Sequence, residues 1–207
     1  MTVKICGMNN LENLKAVANF QPDYFGFIFY EKSPRFLTLK NLPEFEGIKK
    51  VGVFVNSNID VIIEKQNVFN LDVIQLHGEE TLEYIMQLRS KLSDNIQIFK
   101  AISILDENDF KSINHYEDLV DLFILDTKTP LKGGSGKKFN WELLKYYTSD
   151  SPFLLSGGIG PDDFKAVNGI YDNNSKMMGV DLNSKFEIEP GLKDVDLIED
   201  FITKLNR

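Results

Sequence analysis

Eight short apolar runs punctuate this chain, each closed by a glycine or a polar turn, and amphipathic segments lie between them. The runs fall at about 2–6, 24–29, 50–55, 72–76, 96–101, 121–126, 153–156 and 177–182. Most are apolar on both faces, as in Tyr24-Phe25-Gly26-Phe27-Ile28-Phe29 and Leu122-Phe123-Ile124-Leu125. That is the pattern of parallel strands covered by helices. Residues 10–19, 59–69, 79–92 and 192–205 read as the amphipathic helices; in the last, Leu192, Val195, Ile198, Ile202 and Leu205 share one helical face. The interval 33–45 holds two prolines and predicts a short or irregular helix. Eight βα units with no linker or break in composition predict a single (β/α)8 barrel domain over residues 1–207. A doubly wound open sheet is the alternative, but it usually has fewer strands.

In a barrel of this kind chemistry sits at the C-terminal ends of strands and in the loops that follow. That filter retains Cys6, Arg35, Gln75, His77, Asp126, the loop Gly133-Gly134-Ser135-Gly136, the turn Ser156-Gly157-Gly158 and the run Asp181-Leu182-Asn183-Ser184. Cys6 is the only cysteine, so it forms no internal disulfide and serves either packing or reactivity. Strand alternation puts Lys4 on its face, and a cationic neighbour lowers a thiol's pKa toward neutrality, making it a usable proton acceptor. Asp126 ends a strongly apolar strand, where an unpaired charge is costly; this favours a function over a surface or capping role. Arg35 follows the stiff Ser33-Pro34 turn and reads either as a bidentate carboxylate clamp or as a solvated side chain. His77 is equally open, whereas His115 lies in a helix-like segment and reads as surface. Glycine-rich or small-residue turns after strands six, seven and eight fit a phosphate held by backbone N–H groups and the N-terminus of a short extra helix. Read singly, each is also an ordinary turn needing positive φ.

Composition narrows the partners. A net charge of -8 gives no basic footprint for nucleic acid or an anionic membrane. With 43% hydrophobic and 26% charged residues the chain is an ordinary soluble globular protein. It opens without a signal-peptide pattern, and no apolar stretch approaches the ~18 residues of a membrane span. With one thiol, this predicts a reducing cytoplasm. One cysteine and two histidines (His77, His115) have no zinc-ligand spacing, so no metal is expected.

Seven motifs together carry a resemblance: Lys4-Ile5-Cys6-Gly7, Ser33-Pro34-Arg35, Gln75-Leu76-His77-Gly78, Leu125-Asp126-Thr127, Gly133-Gly134-Ser135-Gly136, Ser156-Gly157-Gly158, and Asp181-Leu182-Asn183-Ser184 with Pro190-Gly191-Leu192-Lys193-Asp194. In order and spacing, from residue 3 to about residue 205, the chain resembles the phosphoribosylanthranilate isomerases of tryptophan biosynthesis. The resemblance implies a (β/α)8 barrel that performs an Amadori rearrangement of phosphoribosylanthranilate without cofactor or metal, as a monomer or homodimer. It implies Asp126 as general acid and Cys6 as general base, with Arg35 on the anthranilate carboxylate and Asp181 near the ribose. Lys4, Gln75 and His77 would be further substrate contacts. Gly134, Gly136, Gly157, Gly158, Asn183 and Ser184 would hold the phosphate. After Asn183-Ser184 the chain departs from the family's more usual Gly-Val-Glu, reading Lys185-Phe186-Glu187.

Two other readings compete. The histidine-pathway isomerase performs the same rearrangement on a substrate with two phosphates, but it has an aspartate where Cys6 stands and a second phosphate site. A glycine-rich turn after strand three or four would favour it; those ends read Val55-Asn56 and His77-Gly78. A non-catalytic phosphosugar-binding barrel would keep the glycine turns but need neither Cys6 nor Asp126.

Overall fold

A computed structural model of the chain describes residues 1–128 and 138–206. Eight strands close into a parallel barrel in chain order: β1 (Thr2–Cys6), β2 (Tyr24–Ile28), β3 (Lys49–Phe54), β4 (Val73–Leu76), β5 (Gln97–Ile104), β6 (Leu122–Thr127), β7 (Phe153–Leu155) and β8 (Met177–Leu182), which pairs back onto β1. The expected barrel is present, with strand ends within one residue of those expected except at the end of β5, which runs three residues further. Alternation divides the apolar side chains into two layers. Cys6, Val51, Val53, Val73, Phe99, Ala101, Leu122, Ile124 and Leu154 fill the barrel interior, and a larger cluster packs between the strands and the surrounding helices.

The seam between β8 and β1 depends on one glycine. Gly179 stands opposite Thr2, and a Cβ there would lie 1.8 Å from the Thr2 carbonyl oxygen. Backbone on both sides leaves nothing that can rotate away. Gly179→Ala is therefore expected to destabilise the fold by at least the ~1–3 kcal/mol typical of overpacking, read as a lowered urea midpoint. An unchanged midpoint would mean that the seam is not held this tightly.

Side-chain caps set the helix limits. Asn10 accepts from the Asn13 N–H at 2.9 Å and starts α1 (Leu11–Ala18), and Asn58 does the same for α2 (Ile59–Phe69) through the Asp60 N–H at 2.8 Å. α3 (Leu82–Lys91) begins three residues later than its amphipathic pattern suggests, because Thr81 is its cap and Glu80 is drawn away to Lys100. After β7 comes α4 (Phe164–Asn173). The last helix, α5 (Val195–Thr203), starts at its Asp194 cap. Leu192 and Lys193, expected within it, instead form β10 (Leu192–Lys193), antiparallel to β9 (Glu187–Glu189). Gly191, at φ +90, makes the turn between them.

No helix forms over 33–45, where only isolated bridges join Ile28 to Phe36 and Phe45 to Ile48. The βα connections after β5 and β6 contain 3₁₀ turns, Glu107–His115 and Trp141–Tyr146. Among the described residues no helix is long and apolar enough to cross a membrane.

Candidate active site

Parallel register brings three charged or reactive side chains of β1 and β8 together. Lys4 pairs with Asp181 across the seam, and its ammonium donates to Asp181 Oδ1 at 2.8 Å with both groups buried. Cys6, two residues on, points the same way. Room for this comes from Gly26 on β2: a Cβ there would sit 2.8 Å from Cys6 Sγ and 3.1 Å from Lys4 Nζ.

The expectation that Lys4 draws the thiol toward neutrality is not met. Burial pushes the Cys6 thiol above its ordinary value; Lys4 pulls against this, Asp181 adds to the rise and Lys193 opposes it. Burial is the largest effect, and it outweighs the pull of Lys4. Burial also disfavours the Lys4 ammonium, but Asp181 and Cys6 outweigh it and raise the Lys4 pKa.

A second cluster lies three strands around the ring. Asp126, one residue before the end of β6, accepts the Thr127 N–H on Oδ1 at 2.7 Å. Its Oδ2 is 3.2 Å from His77 Nε2, just beyond β4. His77 Nδ1 in turn lies 3.2 Å from the Gln75 amide nitrogen. In this orientation Gln75 donates to Nδ1, so the ring proton sits on Nε2 and faces the carboxylate. Among the described residues, Gln75 Oε1 is buried without a partner. Thiol and carboxylate thus flank one barrel mouth from separate sides.

Arg35 and loop eight form the rim above Cys6. Glu187 Oε1 and Oε2 each accept from Arg35 Nε at 2.9 Å, and Oε2 accepts from Nη2 at 2.6 Å. Lys193 donates to Glu187 Oε1 at 2.6 Å and to Asn183 Oδ1 at 2.8 Å. Burial pushes the Glu187 carboxyl up, yet the bonds from Arg35 and Lys193 prevail and hold it below its usual range. For Lys193 burial prevails and lowers its pKa, although Glu187 opposes it. The sequence reading assigned no role to Glu187 or Lys193. A lysine beside an apolar residue at a helix-like start reads as solvated, and only the β9–β10 hairpin turns it inward.

The phosphate candidates are brought together in part. Gly157 (φ +81) and Gly158 (φ +68) follow β7 in the left-handed region. A Cβ on Gly157 would meet Thr127 Oγ1 at 2.3 Å and Asp126 Oδ1 at 2.9 Å, so this turn also packs the acidic residue. Asn183 carries Lys193, and the helix expected from Ser184 is a single 3₁₀ turn, Ser184–Phe186. Gly134 and Gly136 lie outside the described residues. His115 is exposed, as expected. No group of three or more His, Cys, Asp or Glu among the described residues could hold a metal ion.

The family model of N-(5'-phosphoribosyl)anthranilate isomerase matches residues 3–204. The chain belongs to that family. An N-(5'-phosphoribosyl)anthranilate isomerase of Parabacteroides distasonis is 41% identical, covering 99% of this chain and 93% of the relative. Among solved structures, the phosphoribosyl anthranilate isomerase of Thermotoga maritima has a TM-score of 0.83 at 35% identity, covering 99% of this chain and 98% of that one. Another isomerase of the family, solved in complex with reduced 1-(o-carboxyphenylamino)-1-deoxyribulose 5-phosphate, has a TM-score of 0.80 at 31% identity, covering 99% and 97%. The isomerase family thus accounts for the barrel and for the order of motifs along it.

Proposed function

We propose that the chain isomerises N-(5'-phosphoribosyl)anthranilate to 1-(2-carboxyphenylamino)-1-deoxyribulose 5-phosphate in tryptophan biosynthesis, with Asp126 as acid and Cys6 as base. The observation that carries the assignment of roles is the buried thiol facing one side of a barrel mouth whose other side holds a hydrogen-bonded carboxylate. Asp126 donates a proton to the furanose ring oxygen as the C1–O bond breaks, and the anthranilate nitrogen lone pair forms the C1=N iminium. Cys6 thiolate then removes the C2 proton. The C2–H electron pair forms the C1=C2 double bond while the iminium electrons return to nitrogen, giving an enolamine. Loss of the C2 hydroxyl proton and gain of one at C1 yield the ketone, so the sequence consumes no net proton and needs no oxidant.

Asp181, anchored by Lys4, would accept a ribose hydroxyl, and His77 would connect Asp126 to protons at the mouth. Arg35 would bind the anthranilate carboxylate. Gly157 and Gly158 support the phosphate reading: among the described residues their N–H groups have no acceptor. Residues 1–207 would form one domain.

A coupled fluorescence assay tests the activity directly: purified protein should consume phosphoribosylanthranilate, and absence of turnover overturns the reading. In the same assay Arg35→Met removes a charge-assisted clamp felt before and during the chemistry. KM is expected to rise about 10- to 100-fold, with a smaller loss in kcat. An unchanged KM would take Arg35 out of the carboxylate site.

A further inference from the structure

Arg35 uses only one of its two bidentate edges within the protein. The side-on edge, Nε and Nη2, is taken by Glu187, while among the described residues Nη1 has no hydrogen-bond partner. A guanidinium can hold a second carboxylate end-on through Nη1 and Nη2. Its orientation is set from outside, because the Glu187 carboxylate is itself fixed on several sides. Lys193 Nζ and the Gly191 N–H donate to Oε1 at 2.6 and 3.1 Å, and the Glu187 side chain is only 3% exposed. The Arg35 stem packs over Gly7, immediately after Cys6: a Cβ on Gly7 would lie 2.8 Å from Arg35 Cδ and 2.9 Å from Asn183 Oδ1.

Charge points the same way. Lys4 and Asp181 cancel. Arg35 and Lys193 share the single carboxylate of Glu187, so this buried rim carries no excess negative charge against an incoming carboxylate.

We propose that Glu187 is a positioning residue that holds Arg35 by its side-on edge, so that the end-on edge is presented to the carboxylate of the substrate's aromatic ring. The inference rests on the proposed isomerase reading, in which that carboxylate belongs to anthranilate. Glu187 would then set the preference for a carboxylated ring without touching it. Lys193 and Asn183 brace Glu187, tying β10 and loop eight to loop two.

The test compares two synthetic probes by calorimetry: the reduced product analogue, 1-(2-carboxyphenylamino)-1-deoxyribitol 5-phosphate, and its phenylamino counterpart lacking the carboxylate. The wild-type protein is expected to bind the first about 10- to 100-fold more tightly. In Glu187→Gln one acceptor and the charge are lost, Arg35 is free to swing, and this ratio is expected to fall to within about 3-fold, while the Kd of the phenylamino probe stays as it was. A ratio that is kept or increased in the variant overturns the inference and leaves Arg35 as a self-sufficient clamp. Equal weakening of both probes also overturns it, because that is what a general structural role produces. A wild-type ratio near one sinks the carboxylate-clamp reading itself and the inference with it. If Glu187→Gln does not fold, Glu187→Asp is measured instead: it keeps the charge but falls one methylene short, and a ratio equal to wild type there counts against the inference.

Discussion

Cys6→Ser is expected to lose about 10²- to 10⁴-fold in turnover, the range associated with one positioned acid or base group. Serine fits the space beside Gly26, so the barrel mouth keeps its shape and the reduced product analogue should bind with little change. What goes is an ionisable group. A hydroxyl does not deprotonate at usable pH, whereas the thiol can, although burial pushes it above its ordinary value. That shift has two opposing effects. It reduces the thiolate fraction at neutral pH, and it makes each thiolate a stronger base toward the C2 proton. The sign for activity follows, because the base works only when deprotonated. In Asp126→Asn, where no acid group has to stay protonated, the residual kcat/KM, which reports the free enzyme, is therefore expected to climb between about pH 7 and about pH 9. A Cys6→Ser protein with near wild-type turnover would remove Cys6 from the chemistry. A profile of Asp126→Asn already flat at about pH 7 would place another group in the role of base.

The surroundings of the thiol show what a sequence can convey about this site. Face alternation along Thr2–Cys6 put Lys4 beside Cys6 correctly, because period-two geometry is local. It could not reveal that Asp181, 177 residues away, pairs with Lys4 at 2.8 Å, because the register of β1 against β8 is decided only when the barrel closes. The strand ends were legible for a related reason: apolar runs bounded by glycine and polar turns mark the places where burial stops. Helix starts followed from caps wherever the cap was the only suitor for its side chain. Glu80 could have led a helix over 79–92, but it is committed to Lys100 and to the Asn56 and Gly78 N–H groups. For Arg35 the sequence leaves a carboxylate clamp and a solvated side chain both open. Its partner Glu187 lies on a two-strand hairpin for which a periodicity of 3.6 gave no sign, so half of its environment was hidden.

Asp126→Asn should cost as much as the thiol change, but its structural consequences differ because asparagine carries a permanent NH₂ donor where aspartate, until it takes up the proton it later gives away, presents only acceptors. The new carbonyl must face the Thr127 N–H, since that backbone donor cannot turn. The new NH₂ then meets His77 Nε2, which carries a proton in the wild-type arrangement, and two donors confront each other at 3.2 Å. Relief is available: the proton moves to Nδ1, and the Gln75 amide turns over so that its Oε1 accepts it. The variant is thus expected to fold and to bind the reduced product analogue nearly as well as wild type. Its kcat should fall about 10²- to 10⁴-fold, with KM within a few fold, because the lost proton donation is felt only in the chemical step. Nitrogen NMR shifts of His77 should report the exchange of tautomer. If Asp126→Asn raised KM and left kcat intact, the carboxylate would be a binding group, and the proton for ring opening would have to come from elsewhere in the mouth. His77, already in contact with Asp126 and held by Gln75, would then be the group to replace next.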